Sequence, residues 1–214
     1  MIKSFLSAVG LSLNSFTIIL TIGIVVVMLV VMYRYWKNFY KKQDLIIISI
    51  NDTLEKIGKL EIKNASDNYE DIKNIFMKSD LLKSAWLGYK KNLFFMKDFN
   101  GKTVVFTTDD ADNYFNYNSL TSQYNALFWQ NLGGVFTGLG ILGTFIGLSV
   151  GLGTINLEHI TNEEIGNLVS GMSTAFITSL CGIVFALFYN WIHKHITDKL
   201  SQAITNLSNG LESL

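Results

Sequence analysis

The chain has 214 residues, of which 49% are hydrophobic and only 16% are charged, and its formal net charge is zero at pH 7. Soluble globular chains carry about 25% charged residues, so this composition argues against an ordinary soluble domain. A zero net charge provides no bulk attraction for nucleic acid, and we expect no direct nucleic-acid partner. The single cysteine, Cys181, excludes an internal disulfide and a multi-cysteine metal site.

Three long uncharged runs predict three transmembrane helices. The first extends from about Ser15 to Tyr33, the second from Gly133 to near Leu157, and the third from Asn167 to about Ile192. The first run is longer than a signal-peptide core of about 7–15 residues, so we interpret it as a retained membrane helix. Aromatic residues that flank the runs predict an interfacial belt, formed by Tyr33, Tyr35, Trp36, Phe128, Trp129, Tyr189 and Trp191.

The distribution of charge predicts the orientation of these helices. The basic residues Arg34, Lys37, Lys41 and Lys42 directly follow the first run, whereas only Lys3 precedes it. The connection between the second and third runs is acidic and has no Lys or Arg. The positive-inside rule therefore predicts that the N-terminus lies outside and the C-terminus lies in the cytoplasm.

The predicted fold is mainly α-helical, with long helices that extend from the membrane into the cytoplasm. We divide it into an N-terminal segment with the first span (1–36), a cytoplasmic helical region (37–132), the second and third spans (133–192) and the start of an amphipathic tail (193–214). Two β-rich runs flank Asn100-Gly101 and predict a hairpin near 94–108. An apolar stripe at helical spacing continues through the tail and could begin a coiled coil: Ile196, Leu200, Ala203, Leu207, Leu211 and Leu214.

Several helix boundaries are predicted from capping residues. Ser66-Asp67 and Ser79-Asp80 each resemble the start of a cytoplasmic helix. From Ser119 we expect one helix that runs without interruption into the second span.

An acidic cluster precedes that helix. Asp109 and Asp110 are expected to cap a short helix that contains Tyr114 and Phe115. A calcium site formed by Asp109, Asp110 and Asp112 remains an alternative, although the cluster lacks the spacing and the bidentate Glu of a known calcium loop. No other metal site is expected.

Small residues line the second and third runs at helical spacing. Helix interfaces in lipid collect Gly, Ala, Ser and Thr, so we expect these two spans to pack closely, with the first span outside. The predicted packing or lumen residues are Gly140, Gly143, Gly147, Gly151, Thr174, Thr178 and Gly182. Thr144 stands mid-span in the second run and could face a lumen, or its hydroxyl could bond the carbonyl one turn earlier. Neither span carries an acidic or basic residue, so a proton-carrying group would have to come from a partner.

These two spans resemble the MotA/TolQ/ExbB proton-channel superfamily. The matching segments are GLGILGTFIGL (Gly138 to Leu148) and GMSTAFITSLCGIVFALFYN (Gly171 to Asn190). Within the superfamily, the stretch DADNYFNYNSLTSQYNALFWQNLGGVFTGLGILGTFIGL (Asp110 to Leu148) most resembles the A subunit of the Zorya anti-phage defence system.

The resemblance implies a multi-pass protein of the bacterial inner membrane, in which five copies ring two copies of a single-span partner. The partner's membrane Asp would carry the ion, H⁺ or Na⁺, and no other cofactor is expected. Thr144 and Ser179 correspond to the lumen hydroxyls of the family. The implied function is ion-driven rotation within membrane lipid, with a tail that transmits motion to cytoplasmic effectors.

Three departures bear on the subgroup. Thr174 stands where TolQ and ExbB proteins have an acidic residue, and Phe185 to Phe188 replace their proline. Three spans rather than four argue against a flagellar stator. The alternatives are a TolQ/ExbB-like energy-transducing subunit and a passive membrane scaffold. An enzyme is not expected, because the sequence shows no nucleotide loop, metal-spaced His/Cys set or nucleophile motif.

Overall fold

The computed structural model describes residues 13–60, 68–99, 101, 103–153, 155 and 161–212. The protein is mainly helical, with one small two-stranded sheet. In chain order the helices are α1 (Leu13–Tyr35), α2 (Lys41–Gly58), α3 (Tyr69–Lys78), α4 (Lys83–Tyr89), α5 (Tyr117–Thr121), α6 (Ala126–Gln130), α7 (Leu132–Leu152) and α8 (Asn162–Glu212). The strands are β1 (Leu93–Lys97) and β2 (Thr103–Thr107).

Three helical stretches are long and apolar enough to cross a membrane: Phe16–Gly58, Leu132–Leu152 and Asn162–Glu212. Each overlaps one of the three runs predicted from the sequence. The first joins α1 to α2 through a π-helical segment, Trp36–Tyr40. Because these helices have the length and hydropathy of membrane spans, the chain is a membrane protein.

The described residues form two compact units. The apolar unit comprises Met1–Trp36 and Leu127–Ile192, and the polar unit comprises Lys37–Ala126 and His193–Leu214. In the apolar unit, α1 packs on α7, and α7 packs on the N-terminal part of α8.

The polar unit has a core of large aliphatic and aromatic side chains. Trp86 stacks on Phe76, with ring centroids 4.5 Å apart and planes inclined by 3°. The predicted stripe of the tail contributes to this core through Leu200, Leu207 and Leu211 rather than forming a separate coiled coil in the described residues. The stripe is buried because it packs against the apolar faces of helices in the same unit.

The predicted hairpin is confirmed. β1 and β2 are antiparallel, with Leu93 opposite Thr107 and Lys97 opposite Thr103. Gly101 takes a positive φ of 78° and donates its N–H to the Asp98 carbonyl at 3.0 Å. The connection is therefore longer than a two-residue turn, and glycine occupies its left-handed position.

The prediction of one helix from Ser119 into the second span is wrong, because this stretch consists of several separate helical segments. Asn125 takes the left-handed conformation (φ 51°), which asparagine tolerates better than most residues, and separates α5 from α6. The second span ends at Leu152 rather than near Leu157.

Two predicted caps also differ from the structure. α4 begins at Lys83, because residues Ser79 to Leu82 form a turn that ends α3. Tyr114 and Phe115 follow a single 3₁₀ turn, Ala111–Asn113, rather than lying in a helix, and the next helix is capped by Asn116. Predictions that involve Lys3, Ser66, Asp67, Asn100, Leu157 or Leu214 lie partly or wholly outside the described residues.

Candidate functional site in the paired apolar helices

Glycine lets α7 and α8 approach until their backbones touch. A Cβ built on Gly147 would lie 2.9 Å from the Gly171 carbonyl oxygen and 3.0 Å from the Ala175 nitrogen. A Cβ built on Gly182 would lie 2.8 Å from both the Gly140 Cα and the Phe136 carbonyl oxygen. These distances leave no room for any side chain, which is the packing that small residues permit between membrane helices.

Gly143 and Gly151 of the second span lie in the same contact. A Cβ on Gly151 would meet the Leu168 backbone at 3.3 Å. At Gly143 it would lie 2.7 Å from Thr178 Oγ1 and 2.9 Å from Ile24 Cδ1, so all three apolar helices meet there. The glycines therefore pack helices of one chain together.

Thr144 joins the two helices through its hydroxyl. The side chain is half-buried, and Oγ1 donates to the Gly140 carbonyl at 3.0 Å and to the Ala175 carbonyl at 3.2 Å. One proton is shared between these acceptors, so the oxygen's lone pairs remain able to accept a hydrogen bond or bind a cation.

The hydroxyls of Thr174 and Thr178 are used within α8. Thr174 donates to the Ser170 carbonyl at 3.0 Å, and Thr178 donates to the Thr174 and Ala175 carbonyls at 3.0 and 3.1 Å. Both residues are buried. This is the local bonding that Ser and Thr often make in membrane helices.

Ser179 differs from these threonines. It is half-buried, and its Cα lies 3.3 Å from the position of a Cβ on Gly140. Within the described parts of the chain its hydroxyl makes no hydrogen bond. α7 and α8 run antiparallel, with Ser179 beside Gly140 and Thr144 bonded to the Ala175 carbonyl, so Thr144 and Ser179 lie about one helical turn apart along the contact between α7 and α8. Their lumen role stays a prediction.

Sequence reasoning missed a contact of the first span. Thr17 is buried, and its Oγ1 lies 3.3 Å from Ser170 Oγ on α8. The predicted lipid-facing character of α1 holds for one side only, since Thr17, Met28 and Tyr35 form a buried side. The spacing 17, 21, 24, 28 and 35 is the signal that could have revealed this stripe.

Two residues of the predicted aromatic belt are packed inside the apolar unit. Tyr189 is fully buried and donates its hydroxyl to the Trp129 carbonyl. Tyr35 packs edge-on against the Tyr189 ring at 4.7 Å. Tyr33, Trp36, Phe128 and Trp191 are exposed, as a belt residue would be.

The acidic cluster of the polar unit forms a hydrogen-bonded turn. Asp109 accepts hydrogen bonds from the Asn113 amide, from the Tyr114 hydroxyl at 3.0 Å and from the Asp110 N–H at 3.1 Å. These bonds, the one from Asn113 foremost, lower the pKa of Asp109 below its usual value. Among the described residues no group of three His, Cys, Asp or Glu is placed to hold a metal.

Comparison with known proteins decides the family. A family profile for the anti-phage protein ZorA of the Zorya type I system matches residues 4–214. The chain belongs to this ZorA family. The Zorya protein ZorA of Escherichia coli (ETEC strain) is 24% identical over 176 residues, which cover 79% of this chain and 24% of that protein. The corresponding protein of Escherichia coli (Crooks strain) is 52% identical over 52 residues, 24% of this chain and 9% of that protein.

The family assignment confirms the predicted resemblance to the Zorya A subunit. The chain spans about a quarter of the length of the ETEC-strain ZorA protein. The glycine-paired helices belong to the matched region, which includes Thr144 and Ser179. Membership in the wider MotA/TolQ/ExbB superfamily remains a prediction.

Proposed function

We propose that the chain is the membrane part of an ion-driven rotary motor that powers anti-phage defence. The match of residues 4–214 to the ZorA family supports the defence role. The three apolar helices support a place in the bacterial inner membrane. The N-terminus lies outside, and the tail reaches the cytoplasm, where it engages effector proteins.

The motor is a ring of five copies around two copies of a single-span partner. α7 has no Asp, Glu, His, Lys or Arg, and neither has α8 between Glu164 and His193. An ion-driven machine needs a titrating or ion-binding group at membrane depth, so the partner supplies an Asp. Membrane lipid surrounds the ring.

Thr144 and Ser179 are the residues of this chain that face the ion. The Thr144 hydroxyl gives its proton to backbone carbonyls, so its oxygen presents lone pairs to a protonated carboxyl or to Na⁺. The Ser179 hydroxyl, with no partner among the described residues, can donate or accept. These two hydroxyls, about one helical turn apart along the contact between α7 and α8, carry the proposal, and they suit transfer of H⁺ or Na⁺ equally.

A passive scaffold is the second candidate, and one observation favours it. The hydroxyls of Thr144, Thr174 and Thr178 all bond carbonyls of the same chain, as they would in an inert bundle. In a scaffold, removal of the Thr144 or Ser179 hydroxyl would leave defence intact.

The experiment is a phage plaque assay in cells that carry the complete defence system, with the full-length protein changed at single positions. We expect Thr144→Val and Ser179→Ala to lose protection while the protein stays at normal abundance in the membrane. Thr137→Val is the matched control, since Thr137 is also half-buried in α7 and donates only to its own helix, at the Gly133 carbonyl. Full protection by both site variants would overturn the motor and favour the scaffold.

A further inference from the structure

The apolar unit contains an open groove between α1 and the N-terminal part of α8, which we call the α1–α8 groove. Its volume is about 520 Å³. Apolar and hydroxyl side chains line it from both helices: Thr17, Ile18, Ile22, Val169, Ser173 and Ile177. Ile22 is 57% exposed and Val169 is 58% exposed, so the groove is open at the surface of the single chain.

A ridge on α7 faces away from α8 of the same chain. Its three residues share one face of the helix and are all exposed: Phe145, Ser149 and Leu152. Ser149 stands two residues, about 200° around the helix, from both Gly147 and Gly151, which contact α8. The largest side chain of the ridge, Phe145, is 66% exposed. The ridge is therefore the convex side of the unit, as the groove is its concave side.

The groove and the ridge lie at the same level along the helices. A Cβ on Gly147 would meet the backbones of Gly171 and Ala175, and a Cβ on Gly151 would meet the backbone of Leu168. The ridge therefore spans about the stretch of α8 from Leu168 to Ala175, which is the stretch that lines the groove. A ring whose axis is the membrane normal repeats each copy at constant depth, so the ridge of one copy lies at the level of the groove of the next.

Each of the two surfaces carries a hydroxyl that makes no hydrogen bond within the described parts of the chain. These are the hydroxyls of Ser149 and Ser173, and both residues are exposed. Ser173 lies about 9 Å inside the predicted start of the third span at Asn167. At that depth the acyl chains of lipids offer no hydrogen-bond partner, whereas serine side chains hydrogen-bond across membrane helices. A second copy of the chain therefore fits the groove better than a lipid does.

We propose that the α7 ridge of one copy docks in the α1–α8 groove of the next copy, where Phe145 packs among the apolar residues and Ser149 hydrogen-bonds to Ser173. This inference rests on the proposed ring and names the contact that closes it. Because the two surfaces differ, the contact is heterologous, which is the kind that generates a closed ring. The first span forms one wall of the groove, so α1 takes part in the assembly.

Disulfide cross-linking between two differently tagged chains tests this contact. Cys181, the only cysteine of the chain, is changed to Ala, and one tagged chain then carries Ser149→Cys while the other carries Ser173→Cys. After oxidation of membranes with copper phenanthroline, we expect a covalent dimer with both tags. Met172→Cys replaces Ser173→Cys in the matched control, because Met172 is exposed at the same level but does not line the groove. The control should give no such dimer, since a disulfide needs Cα atoms within about 7 Å.

A bulky residue in the groove provides a second test, measured by native mass spectrometry. Val169 is already exposed, so the single chain can accommodate Val169→Trp, which fills the groove and should convert rings into single chains. Met172→Trp should leave the rings intact.

The outcomes separate this contact from the proposed motor. A five-copy ring that gives no two-tag dimer overturns the contact and leaves the motor standing. The same holds if Val169→Trp leaves the ring intact and displaces bound lipid, because the groove is then a lipid site. If the unchanged chain forms no oligomer at all, both the contact and the ring are overturned.

Discussion

The two units of this chain pack by opposite means. In the apolar unit the closest approach is between backbones, with glycine at Gly140, Gly147, Gly171 and Gly182. In the polar unit the core is filled by the largest side chains, and Trp86 and Phe76 are almost completely buried. One chain thus achieves close packing with the smallest residues in one unit and with the largest in the other.

The difference follows from the solvent that each unit displaces. In water, burying an aromatic side chain removes a large apolar area from the solvent, so large residues stabilise most. In a bilayer, the lipid tails are as apolar as leucine, so burying a side chain adds little stability. Helix association there depends instead on how closely the helices can approach each other. α1 is consistent with this difference, because its large apolar residues Ile18, Ile22 and Val26 are exposed rather than buried.

The largest effect is expected from a substitution that breaks the backbone contact between α7 and α8. Gly147→Leu should prevent α7 and α8 from pairing, because a side chain there meets the Gly171 carbonyl and the Ala175 backbone rather than a flexible neighbour. We expect a cost above about 3 kcal/mol, the upper range for overpacking, and loss of any oligomer along with the folded protein. Size-exclusion chromatography measures the loss of folded protein, and native mass spectrometry measures the loss of the oligomer.

Gly138→Leu is the matched control for that substitution. Gly138 lies on the same helix, and a Cβ built on it has nothing within 4 Å. The variant should fold normally. A monodisperse, correctly assembled Gly147→Leu protein would contradict the packing described for the apolar unit.

The converse change removes a large residue from the polar unit. Phe76→Ala should destabilise that unit by about 3–5 kcal/mol, because it leaves a cavity under the Trp86 ring. Hydrogen exchange of peptides from the polar unit would report the loss. Phe99→Ala, at a fully exposed phenylalanine, should change the stability by less than about 0.5 kcal/mol. Equal effects would show that burial does not set stability in this unit.

Prediction from the sequence succeeded where one physical constraint acts alone. The uncharged runs predicted three helices of spanning length, because the bilayer demands long apolar stretches. The hairpin was predicted from Asn100-Gly101, since glycine meets the positive φ that the connection requires. The resemblance carried by the stretch from Asp110 to Leu148 led to the correct family.

Prediction failed where the local structure or the burial of a residue depends on packing between segments that are distant in sequence. The break at Asn125 has no strong local signal, as asparagine also occurs inside helices. The buried roles of Tyr189 and Thr17 depend on Trp129 and Ser170, which lie far away in sequence. For the candidate site, spacing alone could not show that Thr144 bonds the Ala175 carbonyl while Ser179 does not share such a bond.

The smallest expected effect concerns charge at the surface of the polar unit. The folded-state pKa of Asp109 is lowered by hydrogen bonds from Asn113 and Tyr114, so its ionised form stabilises the folded chain. That contribution is fully present above the unfolded pKa of about 3.9 and is lost as pH falls through the lower folded value. In denaturant titrations, Asp109→Asn should be less stable than the unchanged chain by a constant amount from neutral pH to about pH 5, and the gap should close at lower pH. A gap that persists in acid would mean that the geometry of the turn, and not the carboxylate charge, accounts for the stabilisation.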